Sequence, residues 1–405
     1  MNDTDTAYLK ESGSLDIDRV LDVLDDILTG HNKPMGLHEP YFSGKEWDYV
    51  RECLDTRWVS SVGRFIDRFE ADLADYLGVK RVVAVVNGTA GLHMALKLTG
   101  VGRGDEVIIP AVTFVATANA VAHCDAIAHF ADSEMKTLGI DAVKLSDYLA
   151  GAAVLRDGGC FNRSTSRPIK AVVAMHTFGH PVDVDSLMEV CDRFNLALVE
   201  DAAESIGSLY KGRQTGTFGR ASVFSFNGNK TITTGGGGAI ATNDEKLADL
   251  AKHVTTTAKV PHPWEYRHDM IAYNYRMPNL NAALGCAQLE QLDHFLLLKR
   301  MLADRYSEEF RDVRGVHFFG EPDFAKSNYW LNTLVLDEER AGMRDALIER
   351  AQERGYSMRP LWIPLHQLSM YEACPRMDLS VAEDLARRIV NIPSSVYLGK
   401  SHNET

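Results

Sequence analysis

Residues 222–238 read Ser-Val-Phe-Ser-Phe-Asn-Gly-Asn-Lys-Thr-Ile-Thr-Thr-Gly-Gly-Gly-Gly, an apolar strand followed by a lysine and four glycines. A lysine amine attacks a carbonyl carbon only without its proton, and a pocket at the mouth of a strand favours that state. The glycines allow the chain to turn tightly beside a bulky group. The stretch therefore indicates that Lys230 forms a Schiff base with a cofactor, although a surface lysine in a hairpin loop has the same local pattern.

A second apolar strand, Ala197-Leu-Val-Glu-Asp, delivers the carboxylate of Asp201 at its C-terminal end. In open α/β sheets, ligands bind beyond the carboxyl ends of the strands. Pyridoxal phosphate withdraws electrons well only while its pyridine nitrogen carries a proton, so it needs an acidic partner. An aspartate after a strand is also typical of a helix N-cap. In combination with Lys230, however, Asp201 predicts a pyridoxal phosphate site.

The phosphate end of such a cofactor has its own candidates. The stretch Val85-Val-Asn-Gly-Thr-Ala is an apolar strand end followed by a small-residue turn that opens a helix. The N–H groups and positive dipole end at a helix N-terminus bind phosphate dianions. Gly88 and Thr89 are therefore candidates, together with the Ser225 hydroxyl, and Phe114 beyond a third strand could stack on the pyridine ring. An ordinary strand-turn-helix crossover without a ligand has the same pattern.

Several motifs in one order extend this interpretation: Asn87-Gly-Thr-Ala, Pro110-Ala-Val-Thr-Phe-Val-Ala-Thr, Glu200-Asp-Ala-Ala-Glu, Ser225-Phe-Asn-Gly-Asn-Lys and Tyr273-Asn-Tyr-Arg-Met. With them the chain resembles the DegT/DnrJ/EryC1/StrS family of sugar aminotransferases over about residues 37–397. The resemblance implies an α/β protein of fold type I, the aspartate aminotransferase-like pyridoxal phosphate-dependent transferases. Such a protein has a large domain with a mainly parallel sheet and a small α+β C-terminal domain.

The resemblance also implies a role for each matching residue. Lys230 would carry the Schiff base, Asp201 would pair with the pyridinium nitrogen, and the phosphate would be held by Gly88, Thr89 and Ser225. Glu204 occupies a position near the cofactor ring that varies among Gln, His and Glu in relatives, and its role stays open.

Two further positions concern the second subunit and a departure from the family pattern. Asn274 matches an asparagine that in relatives reaches the phosphate of the neighbouring subunit, which implies a homodimer with shared active sites. Asn279 stands where many relatives have aspartate. We expect Asn279 to cap the helix that follows rather than to take part in the chemistry.

Three more motifs point to a substrate: Leu37-His-Glu-Pro-Tyr-Phe, Trp58-Val-Ser-Ser-Val-Gly and Arg359-Pro-Leu-Trp-Ile-Pro-Leu-His. They resemble the branch that aminates UDP-4-keto-6-deoxy-N-acetylglucosamine, with the LegC-like and PglE-like enzymes of legionaminic acid and bacillosamine synthesis. The implied reaction moves the amino group of L-glutamate to C4 of a UDP-2-acetamido-2,6-dideoxy-4-ketohexose. Amination of a 3-keto nucleotide sugar and a non-catalytic pyridoxal phosphate-binding protein stay alternatives. A family dehydratase would have histidine at Lys230, and a Walker loop would need lysine directly after Gly228.

The composition restricts the class of protein. The chain has 405 residues, is 45% hydrophobic and carries a net charge of −13, so it lacks the basic stripe that a nucleic-acid partner requires. No apolar run approaches the roughly 20 residues of a membrane span, and no signal pattern opens the chain. We expect a soluble, cytoplasmic enzyme without a membrane partner. The six cysteines and the histidines show no metal-ligand spacing, so no metal is expected.

The pattern along the chain predicts three parts. Residues 1–36 form an N-terminal helical extension with an apolar face over 15–28, residues 37–285 a large pyridoxal phosphate-binding domain, and residues 286–405 a small C-terminal domain. The polar segment 156–167 predicts an exposed loop, and residues 281–306 predict one long helix.

Overall fold

The protein is described by a computed structural model that covers residues 15–400, so the ends of the predicted N-terminal extension and C-terminal domain lie outside the described residues. The strands are, in chain order, β1 (Arg81–Val85), β2 (Glu106–Pro110), β3 (Ile127–Ala131), β4 (Ala153–Arg156), β5 (Gly159–Asn162), β6 (Pro168–Met175), β7 (Ala197–Asp201), β8 (Leu209–Tyr210), β9 (Arg213–Gln214), β10 (Ala221–Ser225), β11 (Gly238–Thr242), β12 (Lys259–Val260), β13 (Arg267–His268), β14 (Val316–Phe318), β15 (Ala325–Lys326), β16 (Asn332–Leu336), β17 (Arg359–Pro360) and β18 (Ile389–Ile392).

The α-helices are α1 (Ile17–Ile27), α2 (Glu46–Thr56), α3 (Arg64–Leu77), α4 (Gly88–Leu98), α5 (Val115–His123), α6 (Ala142–Ala152), α7 (Val184–Phe194), α8 (Glu245–Thr255), α9 (Asn279–Leu289), α10 (Leu292–Glu309), α11 (Arg344–Glu353) and α12 (Ser380–Arg388). Short 3₁₀ turns occur at Thr177–Gly179, Glu338–Met343, Leu365–Gln367 and Val396–Gly399.

The large sheet has nine strands, with the main order β1-β11-β10-β7-β6-β2-β3 and the hairpin β4–β5 attached to β6. The neighbours from β10 to β3 pair in parallel, whereas β11 is antiparallel to both β1 and β10. Strands such as β2 and β11 are buried throughout, as expected when helices cover both faces of a sheet. The predicted mainly parallel α/β fold is confirmed.

This topology brings several strand ends to one edge of the sheet. Within residues 15–400, β11 is the one strand of the main order that runs against the others. The carboxyl ends of the remaining strands therefore lie on the same side, and these strands are β1, β10, β7, β6, β2 and β3. Val85, Ser225, Asp201 and Met175 are therefore neighbours along the edge at which ligands of open α/β sheets bind.

A second, antiparallel sheet, β14-β16-β18-β17, lies in the C-terminal part of the chain. The predicted N-terminal helix forms as α1, with the Asp16 carboxylate accepting the N–H of Arg19 as an N-cap. Its apolar face packs in one buried cluster with Leu302 and Val390, and Asp22 pairs with Arg354. The helix thus packs on the C-terminal part of its own chain, while the domain boundaries at 36/37 and 285/286 stay predictions.

The predicted long helix over 281–306 is wrong in one respect, because two helices, α9 and α10, occupy this region. Two residues, Glu290 and Gln291, lie between α9 and α10, and side chains of other helices contact both. Glu290 accepts hydrogen bonds from Tyr49 and Arg68, and the Gln291 amide donates to Glu46. Tertiary contacts interrupt the helix where no glycine or proline marks an end.

The predicted loop over 156–167 is also different, since β4 and β5 form a hairpin there. Asn162 is buried and donates to the Glu106 carboxylate at 2.8 Å, and the Thr165 hydroxyl donates to the same carboxylate at 2.6 Å. Two of the polar residues that indicated an exposed loop therefore pair with a buried acid, while residues 156–158 and 163–164 are exposed.

The expected helix cap at Asn279 is wrong as well. The N-cap of α9 is Pro278, and the side-chain oxygen of Asn279 instead accepts the N–H of Phe65 at 3.0 Å, in the first turn of α3. The Asn279 amide donates to the Trp58 carbonyl at 2.7 Å. Asn279 caps a neighbouring helix rather than its own.

None of the helices within residues 15–400 has the length and apolar character needed to cross a membrane.

Candidate active site

A cavity of about 310 Å³ opens at the carboxyl edge of the large sheet. Its wall contains every sequence-predicted site residue except Asn274. The lining residues are Asn87, Gly88, Thr89, Leu92, Phe114, Ala116, Thr117, Met175, Asp201, Ala203, Glu204, Ser225, Asn227, Asn229, Lys230, Gly236, Gly237, Trp330 and Trp362.

Lys230 lies in the turn between β10 and β11, five residues after Ser225, the last residue of β10. The turn is closed by backbone bonds from Phe226 N to Gly237 O at 2.9 Å and from Lys230 N to Asn227 O at 3.0 Å. The Lys230 side chain is 13% exposed, and its Nζ lies 3.1 Å from Oε1 of Glu204. A nearly buried amine is thus held in the cavity wall by a carboxyl group.

The first turn of α4 forms the part of the wall that suits a phosphate. The Asn87 side chain caps this helix by accepting the Ala90 N–H at 2.8 Å, and the first N–H groups of a helix have no partner inside it. A Cβ on Gly238 would lie 2.6 Å from the Asn87 carbonyl carbon, and one on Gly88 3.1 Å from Cβ of Ser225. The two glycines let β10, β11 and the helix start converge.

Asp201 ends β7 and is 3% exposed. Its carboxylate accepts the Thr117 hydroxyl at 2.8 Å and the Ala203 N–H at 3.3 Å. Burial raises the pKa of Asp201, and these two donors together with the charge of Lys230 oppose the rise. A buried carboxylate in a cavity wall is stabilised by a cationic donor, which a protonated pyridine nitrogen supplies.

Glu204 lies one turn after Asp201 and is 3% exposed. Besides the amine of Lys230, it contacts the N–H of Phe178, which donates to Oε2 at 2.9 Å. Burial raises the pKa of Glu204 to about 7, while the charge of Lys230 and the Phe178 N–H act in the opposite direction. This carboxyl group therefore titrates near neutral pH.

Phe114 and Asn274 have different environments. The Phe114 ring is 54% exposed, lines the cavity and lies 6.5 Å from the Trp362 ring. Asn274 is exposed and lies outside the lining, where its side-chain oxygen accepts the Nε–H of Arg276 at 3.0 Å. One chain alone therefore does not bring Asn274 to the cavity.

Among the wall residues that were not predicted from the sequence, three have side chains that bear on the site. Thr117 lies inside a quoted motif, one helical turn after Phe114, and this spacing on the first turn of α5 could have identified it. Trp330 and Trp362 come from the C-terminal part of the chain, so no local pattern links them to Lys230. The indole Nε1 of Trp330 donates to the Asn229 carbonyl at 2.7 Å and thereby joins the two parts.

These residues fit pyridoxal phosphate. The close approach at the two glycines and the helix N-terminus form a cradle for a dianion, and the amine of Lys230 reaches the same cavity. Among the described residues, the buried Asp201 has no cationic partner within hydrogen-bonding distance. Among residues 15–400, no group of three His, Cys, Asp or Glu side chains is arranged to hold a metal ion.

The fold is that of the fold type I pyridoxal phosphate-dependent enzymes, and the residues of the cavity fit that cofactor. The chain belongs to the DegT/DnrJ/EryC1/StrS aminotransferase family, whose sequence profile matches residues 40–405. It is a pyridoxal phosphate-dependent aminotransferase.

Individual relatives agree with this assignment. The chain is 37% identical over 359 residues to GDP-perosamine synthase of Vibrio cholerae, covering 88% of this chain and 93% of that protein. It is 30% identical over 373 residues to the dTDP-4-dehydro-2,3,6-trideoxy-D-glucose 4-aminotransferase of Saccharopolyspora spinosa, covering 89% and 91%. The crystal structure of the aminotransferase TlmJ from Streptoalloteichus hindustanus superposes with a TM-score of 0.79 at 31% identity, covering 89% and 93%. The relatives thus support the family but not specifically the expected UDP-sugar branch.

Proposed function

We propose that the protein transfers an amino group from L-glutamate to C4 of a nucleotide-linked 4-keto-6-deoxy sugar and releases the 4-amino sugar. The observation that carries this proposal is the position of the Lys230 amine, which lies in one cavity with the Asp201 carboxylate and the first turn of α4. Amino transfer to a ketone needs a proton to leave one carbon and arrive at another, and a positioned amine can carry it.

When bound, pyridoxal phosphate supplies an electron sink that stabilises negative charge on the carbon beside the transferred nitrogen. The residues of the chain provide the rest. Lys230 would remove the proton from that carbon as general base and deliver it to the second carbon as general acid, and Asp201 would keep the pyridine nitrogen protonated. The N–H groups of Gly88 and Thr89 and the Ser225 hydroxyl bind the phosphate. Phe114 covers one face of the ring.

The charge of the cavity supports a shared site in a homodimer. Its ionisable lining residues are Asp201, Glu204 and Lys230, so one chain offers one cation to a phosphate, a dicarboxylate donor and a nucleotide diphosphate. Asn274 and Arg276 form an exposed polar pair outside this cavity. We propose that the partner subunit presents Asn274 to the phosphate, as the family resemblance implies.

The names of the relatives support the choice of sugar carbon and change the expected nucleotide. The Saccharopolyspora spinosa relative is named as a 4-aminotransferase of a 4-dehydro sugar, which favours C4 over C3. The Vibrio cholerae relative is named as a synthase of GDP-perosamine, which favours GDP. The motifs that begin at Trp58 and Arg359 favour the UDP-linked 2-acetamido sugar instead, so this acceptor is the second candidate.

The test incubates the purified protein with pyridoxal phosphate, L-glutamate and one acceptor at a time. The acceptors are a GDP-linked 4-keto-6-deoxyhexose, UDP-4-keto-6-deoxy-N-acetylglucosamine and a 3-keto nucleotide sugar. The proposal expects an amino sugar product from the first or the second acceptor, with the larger kcat/KM identifying the nucleotide. Turnover of the 3-keto sugar alone would overturn the assignment to C4, and binding of the cofactor without turnover of any acceptor would favour a non-catalytic protein.

A further inference from the structure

We propose that Glu204 is the group that takes the proton of Lys230 and holds it while Lys230 attaches to the cofactor. The inference rests on the role of Lys230 in the proposed function and assigns a task to a residue whose role the family resemblance left open. Glu204 is the carboxyl group in contact with the amine, with 3.1 Å between Oε1 and Nζ.

Attachment requires a neutral amine. The amine nitrogen forms a bond to the aldehyde carbon of the cofactor, the carbon–oxygen bond breaks, and one water leaves. If Lys230 begins as an ammonium ion paired with the Glu204 carboxylate, one proton must move before its nitrogen can attack. Transfer from Nζ to Oε1 gives a neutral amine beside a neutral carboxyl group, with no proton exchanged with solvent.

The surroundings of Glu204 favour this transfer. Both side chains are nearly buried, and a low-dielectric environment disfavours an ion pair relative to two neutral groups. The charged side chains that act on Glu204 are Lys230, from the turn after β10, and Asp201, from the end of β7. Asp201 disfavours a second carboxylate nearby, and burial raises the pKa of Glu204 to about 7.

The carboxyl group is also held in place from a third element. Phe178 in the turn after β6 has a φ of 56° and donates its N–H to Oε2 of Glu204 at 2.9 Å. The Asn328 amide donates to the Glu204 carbonyl at 2.9 Å, which fixes the main chain. One carboxyl oxygen is therefore anchored, while the other stays directed at the amine.

The test measures the rate at which Lys230 attaches to added pyridoxal phosphate between pH 6.5 and pH 9. The attached cofactor is trapped with borohydride, and the labelled peptide is quantified by mass spectrometry. Glu204→Gln keeps the size of the side chain and can still accept the Phe178 N–H, but it cannot take a proton. Glu134→Gln is the matched control, because Glu134 is a half-buried glutamate outside the cavity whose pKa burial also raises.

Above about pH 7, where Glu204 is ionised and can take the proton, the wild type and the control should attach cofactor at a rate that changes little with pH. In Glu204→Gln the rate should fall at pH 7 by about tenfold or more and should rise roughly tenfold per pH unit, because the proton must then leave to solvent. A Glu204→Gln profile parallel to that of the wild type would overturn the inference. Absence of trapped cofactor at Lys230 in the wild type would instead contradict the proposed function itself.

A second measurement covers the case in which Glu204→Gln does not fold. Infrared difference spectra of wild-type protein with ¹³C-labelled glutamate residues are recorded before and after cofactor attachment. The inference expects the carbonyl band of one protonated glutamic acid to appear on attachment. A spectrum without such a band would contradict it.

Discussion

The Nζ atom of Lys230 lies 3.8 Å from the centre of the Trp330 ring, over the face of the indole. The ring is fixed by its N–H, which donates to the carbonyl of Asn229 in the same turn as Lys230. Trp330, from the C-terminal part of the chain, thus contacts the amine of Lys230, which follows a strand of the large sheet. The attraction between an ammonium group and an aromatic face contributes roughly 0.5–2 kcal/mol.

Trp330→Leu removes both the aromatic face and the hydrogen bond, so the amine of Lys230 loses its orientation. We expect kcat/KM to fall by roughly 3- to 30-fold, which corresponds to the cation–π range. Trp330→Phe keeps an aromatic face and should lose less. The control is Trp264→Leu, since Trp264 is 77% exposed. Unchanged kcat/KM in Trp330→Leu would show that the contact does not orient the amine.

Thr117→Val replaces the hydroxyl that donates to the Asp201 carboxylate with a methyl group of similar size. A hydrogen bond to a charged group contributes roughly 1.5–3 kcal/mol, so we expect kcat/KM to fall by about 10- to 100-fold with the cofactor still bound. Steady-state kinetics with saturating cofactor measure the effect, and Thr29→Val is the control, because Thr29 is an exposed residue that follows α1. Equal rates in the two variants would mean that Asp201 does not depend on Thr117.

Asn274→Ala should weaken cofactor affinity by roughly ten- to a hundredfold, because an amide hydrogen bond to a phosphate dianion is charge-assisted. If the partner subunit supplies this amide, mixed dimers of Asn274→Ala and Lys230→Ala chains contain one intact site and one doubly defective site. At a cofactor concentration too low to fill the sites of the Asn274→Ala parent, the mixture should then show activity that neither parent shows. A mixture that stays inactive after confirmed subunit exchange would contradict the shared site.

His180 predicts a pH dependence of stability. Its ring is fully buried edge-on to Phe319 and Tyr329, and neither nitrogen has a partner among the described residues. Burial lowers the pKa of His180 to about 3. As the pH falls, the unfolded chain therefore binds a proton on this histidine before the folded protein does. The contribution of the neutral ring to the unfolding free energy is present above pH 6.5 and is lost as the pH falls toward 3.

His180→Phe removes that titration. Between pH 6.5 and pH 5, the wild type should lose about 2 kcal/mol of unfolding free energy that the variant does not lose. Urea unfolding at several pH values measures the difference, and His294→Phe on the exposed side of α10 is the control. Parallel stability curves for wild type and His180→Phe would contradict the buried neutral ring.

The parts of the site that the sequence predicted share one physical feature. Gly88, Asp201 and Ser225 each follow or end an apolar strand, and strand ends in a parallel sheet meet at one edge, so local patterns suffice to place them together. The mainly parallel sheet was predictable for the same reason, because apolar strands alternate with amphipathic helices along the chain.

The parts that were missed depend on contacts between distant segments. Trp330 lies one hundred residues after Lys230, and the interruption between α9 and α10 comes from helices near the start of the chain. In the hairpin β4–β5, Asn162 pairs with the buried Glu106, which lies more than fifty residues earlier. Asn279 caps a helix that begins more than two hundred residues earlier. Such tertiary contacts leave no local signal in one sequence.

The most direct test of the central claim is the transfer of ¹⁵N from labelled L-glutamate to the sugar, located by NMR. The reaction contains wild-type protein, pyridoxal phosphate and the nucleotide-linked 4-keto-6-deoxy sugar, with Lys230→Ala in parallel. We expect ¹⁵N bonded to C4 with the wild type and no turnover with Lys230→Ala. Label at another carbon, or equal turnover by Lys230→Ala, would contradict it.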